Sequence, residues 1–425
     1  MADATLLSRR AVLAWSLLAG AGLTACAGPR VIRADVARQP VDNASAAAAV
    51  SAVAAFSRDL VAAVAQGGRT NLICSPFSVL AVLAMVRNGA TGATAREMDQ
   101  ALSLPATAKL NAGLNAVEQT LTGRTGTRRT GDGAKAKVRL DVAQQVWGQR
   151  GLVWQPAFLD VLAASYGTGV REMDIARDPS GATDTVNDWV ADATSDRIKD
   201  LLAPGVVTTD TRLILANALY VKAPWHEQFE PAGTRSFAAP SGTVPAGMLQ
   251  VTLPTGGRRG HGWTAARVPL AGQELALTVV LPDRSPAELL AELTGPKLLE
   301  MLGPGGEAVS VTMPGFTFRT KVALPEVLEK LGMARAFSTE AEFDGLTTTQ
   351  QLILDHVEHQ GWIAVDEHGL EAAAATAATA IATSAQAPPA LKLVLDRPFL
   401  ICVHDITLQL PLLLGIVADP TAVGD

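Results

Sequence analysis

Six histidines are the only side chains in this 425-residue sequence that ordinarily titrate near neutrality, so acid–base or metal chemistry would have to gather around few positions. "HEQFE" (226–230) opens like the helix of a zinc protease but lacks the second histidine. "DHVEHQGWIAVDEH" (355–368) is denser, with three histidines and four carboxylates. In an extended strand, however, His356 and His359 are three residues apart and face opposite ways, so they cannot share a metal. No G-x-S-x-G elbow is present. Gly89 and Gly92 are not followed by the Lys-Ser/Thr of a phosphate loop. The residues therefore predict no metal, no cofactor and no enzyme.

A different kind of chemistry is offered by "DEHGLEAAAATAATAIATSAQAPP" (366–389). Between Glu371 and Asp396 the only charged residue is Lys392, and hardly any side chain is bulky. By composition alone such a run is a linker. Its alanines also suit a helix, but Thr376, Thr379, Ile381 and Thr383 are equally at ease in an extended chain. The flank decides: only 35 residues remain from Leu391 onward, rich in strand-like apolar runs and too few to fold alone. Those strands must complete a core built by the preceding chain. The run is then a long loop inside one domain, and such loops are rare unless they have a function.

The elements that would hold this loop can be read from periodicity. With 48% hydrophobic and 18% charged residues the chain has ample core material, and its length allows one large domain or two modest ones. The net charge of −6 is spread out, without a basic stripe interleaved with aromatics, which excludes nucleic acid as a partner. Residues 1–25 read as an export signal: Arg9 and Arg10 precede an apolar run, Ala11 to Ala25, too short to span a bilayer comfortably. "SRRAVL" resembles a twin-arginine signal, and "LTAC" resembles a lipobox that makes Cys26 the lipidated first residue. Residues 26–45 form a polar tether, and 46–425 a single domain. Cys74 and Cys402 lie in apolar stretches and are expected as free buried thiols.

Val50, Val53, Leu60, Val61 and Val64 mark a helix closed by Gly67 and Gly68. Ser75 caps a second helix with Pro76 at its first position and Asn88-Gly89 at its end. Thr94 and Glu97 make a capping box for a third. "VRLDVAQQVW" alternates as a half-buried strand, "TDTVNDWVADATSDRIKDLL" is a helix, and "RLILANALYV" is a central strand in which Asn217 needs a partner. "ELALTVVLP", "VSVTMPGFTF" and "QLILDHVEHQGWIAVDE" are further strands, and Pro325 and Gly332 bound another helix. The irregular alternation favours α+β.

"VDEHGLEAAAATA" resembles the hinge of inhibitory serpins: an acidic residue, a glycine, then small side chains. "NLICSPFSVLAVLAMVRNGATGATAREM", "VNDWVADATSDRIKDLL", "LANALYVKAPWHEQFEP", "LPEVLEKLGMARAFS" and "DRPFLICVHDITLQLPLLLGIVADP" are similar to serpin signatures in the same order, across residues 71–420. The resemblance implies a serpin fold: three β-sheets, eight or nine helices, and an exposed reactive-centre loop within 366–390. It implies a serine protease inhibitor that acts as a monomer through suicide cleavage between Thr383 and Ser384. The hinge is Glu367, Gly369, Leu370, Glu371 and Ala372, Ala373, Ala374 and Ala375, and it enters the largest sheet as a new strand. Leu370, Ala372, Ala374, Thr376, Ala378, Ala380 and Ala382 would share the buried face, with Glu371 on the opposite, solvated one.

A polar cluster beneath the sheet is expected at Ser75, Ser78, Asn217 and His359, with Trp225 near the top. Three departures stand out. Leu370 replaces a usually small residue, Gly315 stands where many serpins have a lysine partner for Glu367, and the loop is a few residues long beyond the cut. The competing reading is a non-inhibitory serpin serving as carrier, chaperone or protease substrate. A small bait residue among alanines points to elastase-like or subtilisin-like proteases. An exported lipoprotein, held at the cell surface only by its lipid or released from it, is the expected setting.

Overall fold

A computed structural model describes residues 29–371 and 389–423. The first part of the chain runs β1 (Arg30–Ile32), α1 (Asn43–Ala65), β2 (Leu72–Cys74), α2 (Pro76–Arg87), α3 (Gly92–Ala101), α4 (Thr107–Thr122), β3 (Gly126–Arg129) and β4 (Lys135–Gln149). It continues through α5 (Pro156–Tyr166), β5 (Val170–Met173), α6 (Pro179–Ala193), β6 (Leu213–Pro224), β7 (Glu230–Ala239), β8 (Gly242–Gly260), β9 (Trp263–Pro269) and β10 (Leu275–Pro282). The remainder is α7 (Pro286–Ala291), α8 (Gly295–Leu302), β11 (Glu307–Pro314), β12 (Phe316–Ala323), α9 (Pro325–Lys330), β13 (His356–Val365), β14 (Gly369–Leu370), β15 (Leu391–Val394), β16 (Phe399–Asp405) and β17 (Leu410–Val417).

These strands build an α+β architecture in which the sheet carrying β13 has the order β1-β5-β4-β6-β14-β13-β12. β3 adds to this sheet by pairing with β4, and the other strands form a second hydrogen-bonded network. Two of the three expected sheets merge there because the long β8 pairs with β7 and β11 along its first part and with β9 at its end. As the flank of the bland run required, β15, β16 and β17 lie inside that network, with β15 on β11 and β16 on β10. Cys74 and Cys402 are buried free thiols, each paired in register to Leu414 on β17.

The large sheet is covered on both faces. Leu215, Leu219, Val221 and Ala223 of β6 face the main core, where α2 packs behind β4 and β6. Ile214, Ala216 and Ala218 face the other way, joining Trp147, Val186 and Val190 under α6. This two-sided burial is why β6 reads as an unbroken apolar run.

Three expectations need correction. Thr94 and Glu97 make no capping box. Instead Glu342 Oε2 accepts the backbone N–H groups of Ala93 and Thr94 at 2.5 and 3.1 Å, while Thr94 Oγ1 accepts from Glu342 N. The helix start is thus capped by a distant carboxylate, which local spacing cannot reveal. The helix read as running to Leu202 stops at Ala193, because Thr194 Oγ1 bonds back to Val190 O and takes the Ile198 N–H, and Ser195 and Asp196 turn left-handed. From Arg30 onward the polar tether is docked: β1 pairs with β5, Gln39 N donates to Ala164 O, and Arg38 reaches Asn115 and Glu118.

Candidate functional site

The site is the slot between β6 and β13. Both strands run the same way, and at the lower end they pair directly, His356 to Ile214, Val357 to Leu215 and Glu358 to Ala216. Higher up they no longer pair with each other. At the top, β14 sits between them, with Leu370 opposite both Ala223 and Val365.

His359 and Asn217 face each other one level above the last backbone pair. Ser75 donates its backbone N–H to His359 Nε2 at 2.9 Å, so that nitrogen is an acceptor and the ring proton sits on Nδ1. Nδ1 is 3.1 Å from Asn217 Oδ1 and donates to it. Complete burial pushes the His359 pKa down to about 4, which keeps this neutral tautomer in place. Ser75 Oγ in turn donates to Ser78 Oγ at 2.9 Å and caps α2 through the Ser78 N–H. The four residues proposed as a cluster therefore form one connected chain linking α2 to both strands. Asn217 Nδ2 is buried and has no partner, an orphan donor inside the slot.

Trp225 belongs to the top and not to this chain. It is buried, packs 5.1 Å from Phe229, and donates from Nε1 to Asp366 O at 2.8 Å. Its backbone N–H goes to His368 O, and that of Phe229 to Glu367 O. Asp366 organises the turn between β13 and β14, its Oδ1 accepting the N–H groups of His368 and Gly369. Gly369 is required there: φ is 153°, and a Cβ would lie 2.3 Å from Ala223 O. With glycine at position 315, Glu367 takes part in the turn through its carbonyl, and its side chain lies 3.6 Å from His368.

Leu370 is buried at 2% exposure, so the residue that replaces a usually small one is already in place. Glu371 does point away from the core, but it is not solvated. Its carboxylate accepts from Arg197 Nε at 2.6 Å, its side chain is 9% exposed, and Arg197 stacks over Trp362. The pKa of Tyr220 nearby is pushed up to about 12, first by burial and then by the Glu371 carboxylate. Glu371 is also left-handed, with φ at 49°, and this turn ends β14. Cys26, Ala372, Ala373, Ala374, Ala375, Thr383 and Ser384 lie outside the described residues.

Sequence reasoning missed Asp366, Arg197 and Phe229. Asp366 followed three residues later by Gly369 is a readable turn signature. Arg197 carried no signal, since its partner is 174 positions away. His356 is held by Thr211 and Asp355, apart from His359.

The description of the family model that matches residues 51–420 is Serpin (serine protease inhibitor). An uncharacterized serpin-like protein from Thermococcus kodakarensis is 31% identical over 382 residues, covering 87% of this chain and 85% of that protein. Leukocyte elastase inhibitor from Bos taurus is 29% identical over 371 residues, covering 82% and 93%. Among solved structures, Tengpin, a thermophilic serpin in its native state, superposes with a TM-score of 0.78 at 23% identity, covering 92% of this chain and all of that one.

Proposed function

The chain belongs to the serpin family, and from that premise we propose that it is a single-use inhibitor of serine proteases rather than an enzyme, exported and held by a lipid on Cys26. One observation carries this reading: the hinge already occupies the top of the slot in a register that fits the whole slot. Leu370 lies level with Ala223 and Val365, an offset of 142 between the two strands; at the lower junction Ile214 meets His356, again 142. Between the two levels neither strand bulges relative to the other. An extra antiparallel strand can therefore descend without sliding either neighbour.

Extending that register brings each arm residue 370 + k opposite 223 − k and 365 − k. Thr376 arrives between Asn217 and His359, and residues 377–379 replace the three lower backbone pairs. Thr383 arrives opposite Asp210 and Leu352, both of which line a cavity of about 480 Å³ at the foot of the sheet together with Arg212 and His356. No charged side chain would enter the core on the way.

In the proposed reaction the protease serine attacks the Thr383 carbonyl, the bond to Ser384 breaks, and its nitrogen leaves with a proton from the protease's own acid. The acyl ester normally falls to water. Insertion by about thirteen residues moves it on the order of 40 Å and spoils a catalytic geometry that tolerates little more than about 1 Å. Small bait among alanines favours elastase-like or subtilisin-like enzymes, and the name of the bovine relative agrees with the first. Incubation with such proteases followed by a denaturing gel tests the reading: a covalent complex is expected, whereas clean cleavage without complex rejects it.

A further inference from the structure

The docked N-terminal segment fixes which side of the domain meets a membrane. This step rests on the proposed lipid at Cys26. Only three residues separate Cys26 from Arg30, so the lipid-bearing residue can stand no more than about 14 Å from the start of β1. From Arg30 the chain is already fixed: Arg30, Val31 and Ile32 pair with Glu172, Arg171 and Val170 of β5. Beyond β1, Asn115 Nδ2 and Gln119 Nε2 both donate to Gln39 O. No free leash remains to let the domain stand away from the bilayer.

The composition of the same segment fits that neighbour. Among the described residues, the five exposed large hydrophobics include Val31 at 50%, Val36 at 38% and Val41 at 44%. The charged residues of 30–41 are Arg30, Arg33, Asp35 and Arg38, a net +2 in a chain of −6. Arg38 is neutralised by Glu118 at 2.9 Å, leaving Arg30, Arg33 and Asp35, a net +1, exposed beside the valines. Apolar side chains flanked by arginines suit the headgroup boundary of an anionic bilayer.

We propose that the anchored protein lies edge-on, with β1 and residues 33–41 against the lipid headgroups and the strands of the large sheet running along the membrane plane. β1 is the outermost strand, separated from β6 by β5 and β4, and β12 closes the opposite edge. Arg30 is level with Glu172, hence with Gly148 and Leu213 at the foot of the sheet. Were the strands upright, the foot would press on the bilayer and block the place where the inserted arm ends. Edge-on, the path from hinge to foot is parallel to the surface and unobstructed.

The test uses the full-length lipidated chain in phosphatidylethanolamine and phosphatidylglycerol vesicles carrying a headgroup quencher. Val36→Cys and Ala323→Cys, both at exposed positions and the latter at the foot of β12, each carry a fluorophore. Quenching at position 36 is expected to exceed that at 323 several-fold, whereas an upright sheet would bring both to the bilayer, and a long Gly-Ser insertion after Pro29 should reduce the difference. Equal quenching at both positions without the insertion overturns the edge-on geometry. Mass spectrometry of the mature N-terminus separates the premise from the inference: a chain without an acyl group at Cys26 removes both, while an acylated chain with equal quenching rejects only the mounting.

Discussion

The lower and upper junctions of β6 and β13 differ in what holds them. Below, three backbone pairs are locked by a buried side-chain chain from Asn217 through His359 to Ser75. Above, a two-residue strand and a turn keep the same strands apart. At the lower junction Ser75, Asn217 and His359 are buried; the upper one is fastened at its rim by an ion pair whose arginine is 45% exposed. On the proposed mechanism, insertion would begin at the upper end and be barred at the lower. The bar is the place where perturbation should count most.

The largest effect is expected from placing a charge at the level of that bar. Thr376 would arrive opposite Asn217 and His359, where its hydroxyl can take up the orphan Nδ2 proton of Asn217. Thr376→Arg would bury an unpaired guanidinium, costing at least about 3 kcal/mol and shifting the partition from complex to cleaved product by on the order of 100-fold. Stoichiometry of inhibition measures it. Thr376→Val should stay close to the parent.

Acid acts on the same junction. His359 is depressed from 6.5 to about 4, so on acidification the unfolded chain takes the proton first. Its contribution to stability is fully present above pH 6.5 and is lost as the pH falls to 4, about 3 kcal/mol in all. Protonated Nε2 would also confront the Ser75 N–H. Glu358, on the opposite face of β13, has the reverse sign: burial raises it to about 7, so its contribution is present at low pH and lost as the pH rises from 4.5 through 7. Urea midpoints across this range should peak between the two, with His359→Gln flattening the acid limb and Glu358→Gln the neutral one. His404, pushed by burial to about 3, leaves a residual acid slope in His359→Gln.

Asn217→Ala should lower stability by about 2 kcal/mol, because it strands the buried His359 Nδ1–H. It should also quicken insertion, seen as a faster approach to complete protease inactivation. Trp225→Phe, which removes the bond to Asp366 O and part of a buried ring at the already open end, should quicken insertion less. Equal effects on insertion would erase the distinction between the junctions.

The lower junction was legible in the sequence partly for a physical reason. Asn217 in an apolar strand had to find a partner; that His359, Ser75 and Ser78 would gather around it came only from the resemblance to serpins. The hinge was legible as a composition, small and uncharged, but its placement was not. Whether Leu370 blocks the slot or fills it depends on Gly369 passing against the Ala223 carbonyl and on the Asp366 turn. The merging of two sheets through β8 and the capping of α3 by Glu342 were hidden for the same reason as Arg197: each joins residues far apart in sequence, with no local period to betray them. The tether was misread because Arg30–Ile32 is too short to show alternation, and its edge pairing is made by backbone alone.

The smallest effect concerns the upper rim, where two contributions can be separated. Glu371 is held by Arg197 and is also left-handed, a conformation that costs a non-glycine residue on the order of 1 kcal/mol. For the arm to descend, Glu371 must abandon both. Arg197→Ala removes the ion pair and keeps the turn; with a half-exposed arginine the gain should be under about 1 kcal/mol, no more than roughly fivefold in insertion rate, and salt should mimic it. Glu371→Gly removes the pair but makes the turn easier to hold, so it should quicken insertion less than Glu371→Ala, which loses the pair and still prefers to leave the turn. The order Glu371→Ala above Glu371→Gly in limiting inactivation rate would assign part of the rim's hold to backbone conformation. The same rate in both would assign all of it to the charge.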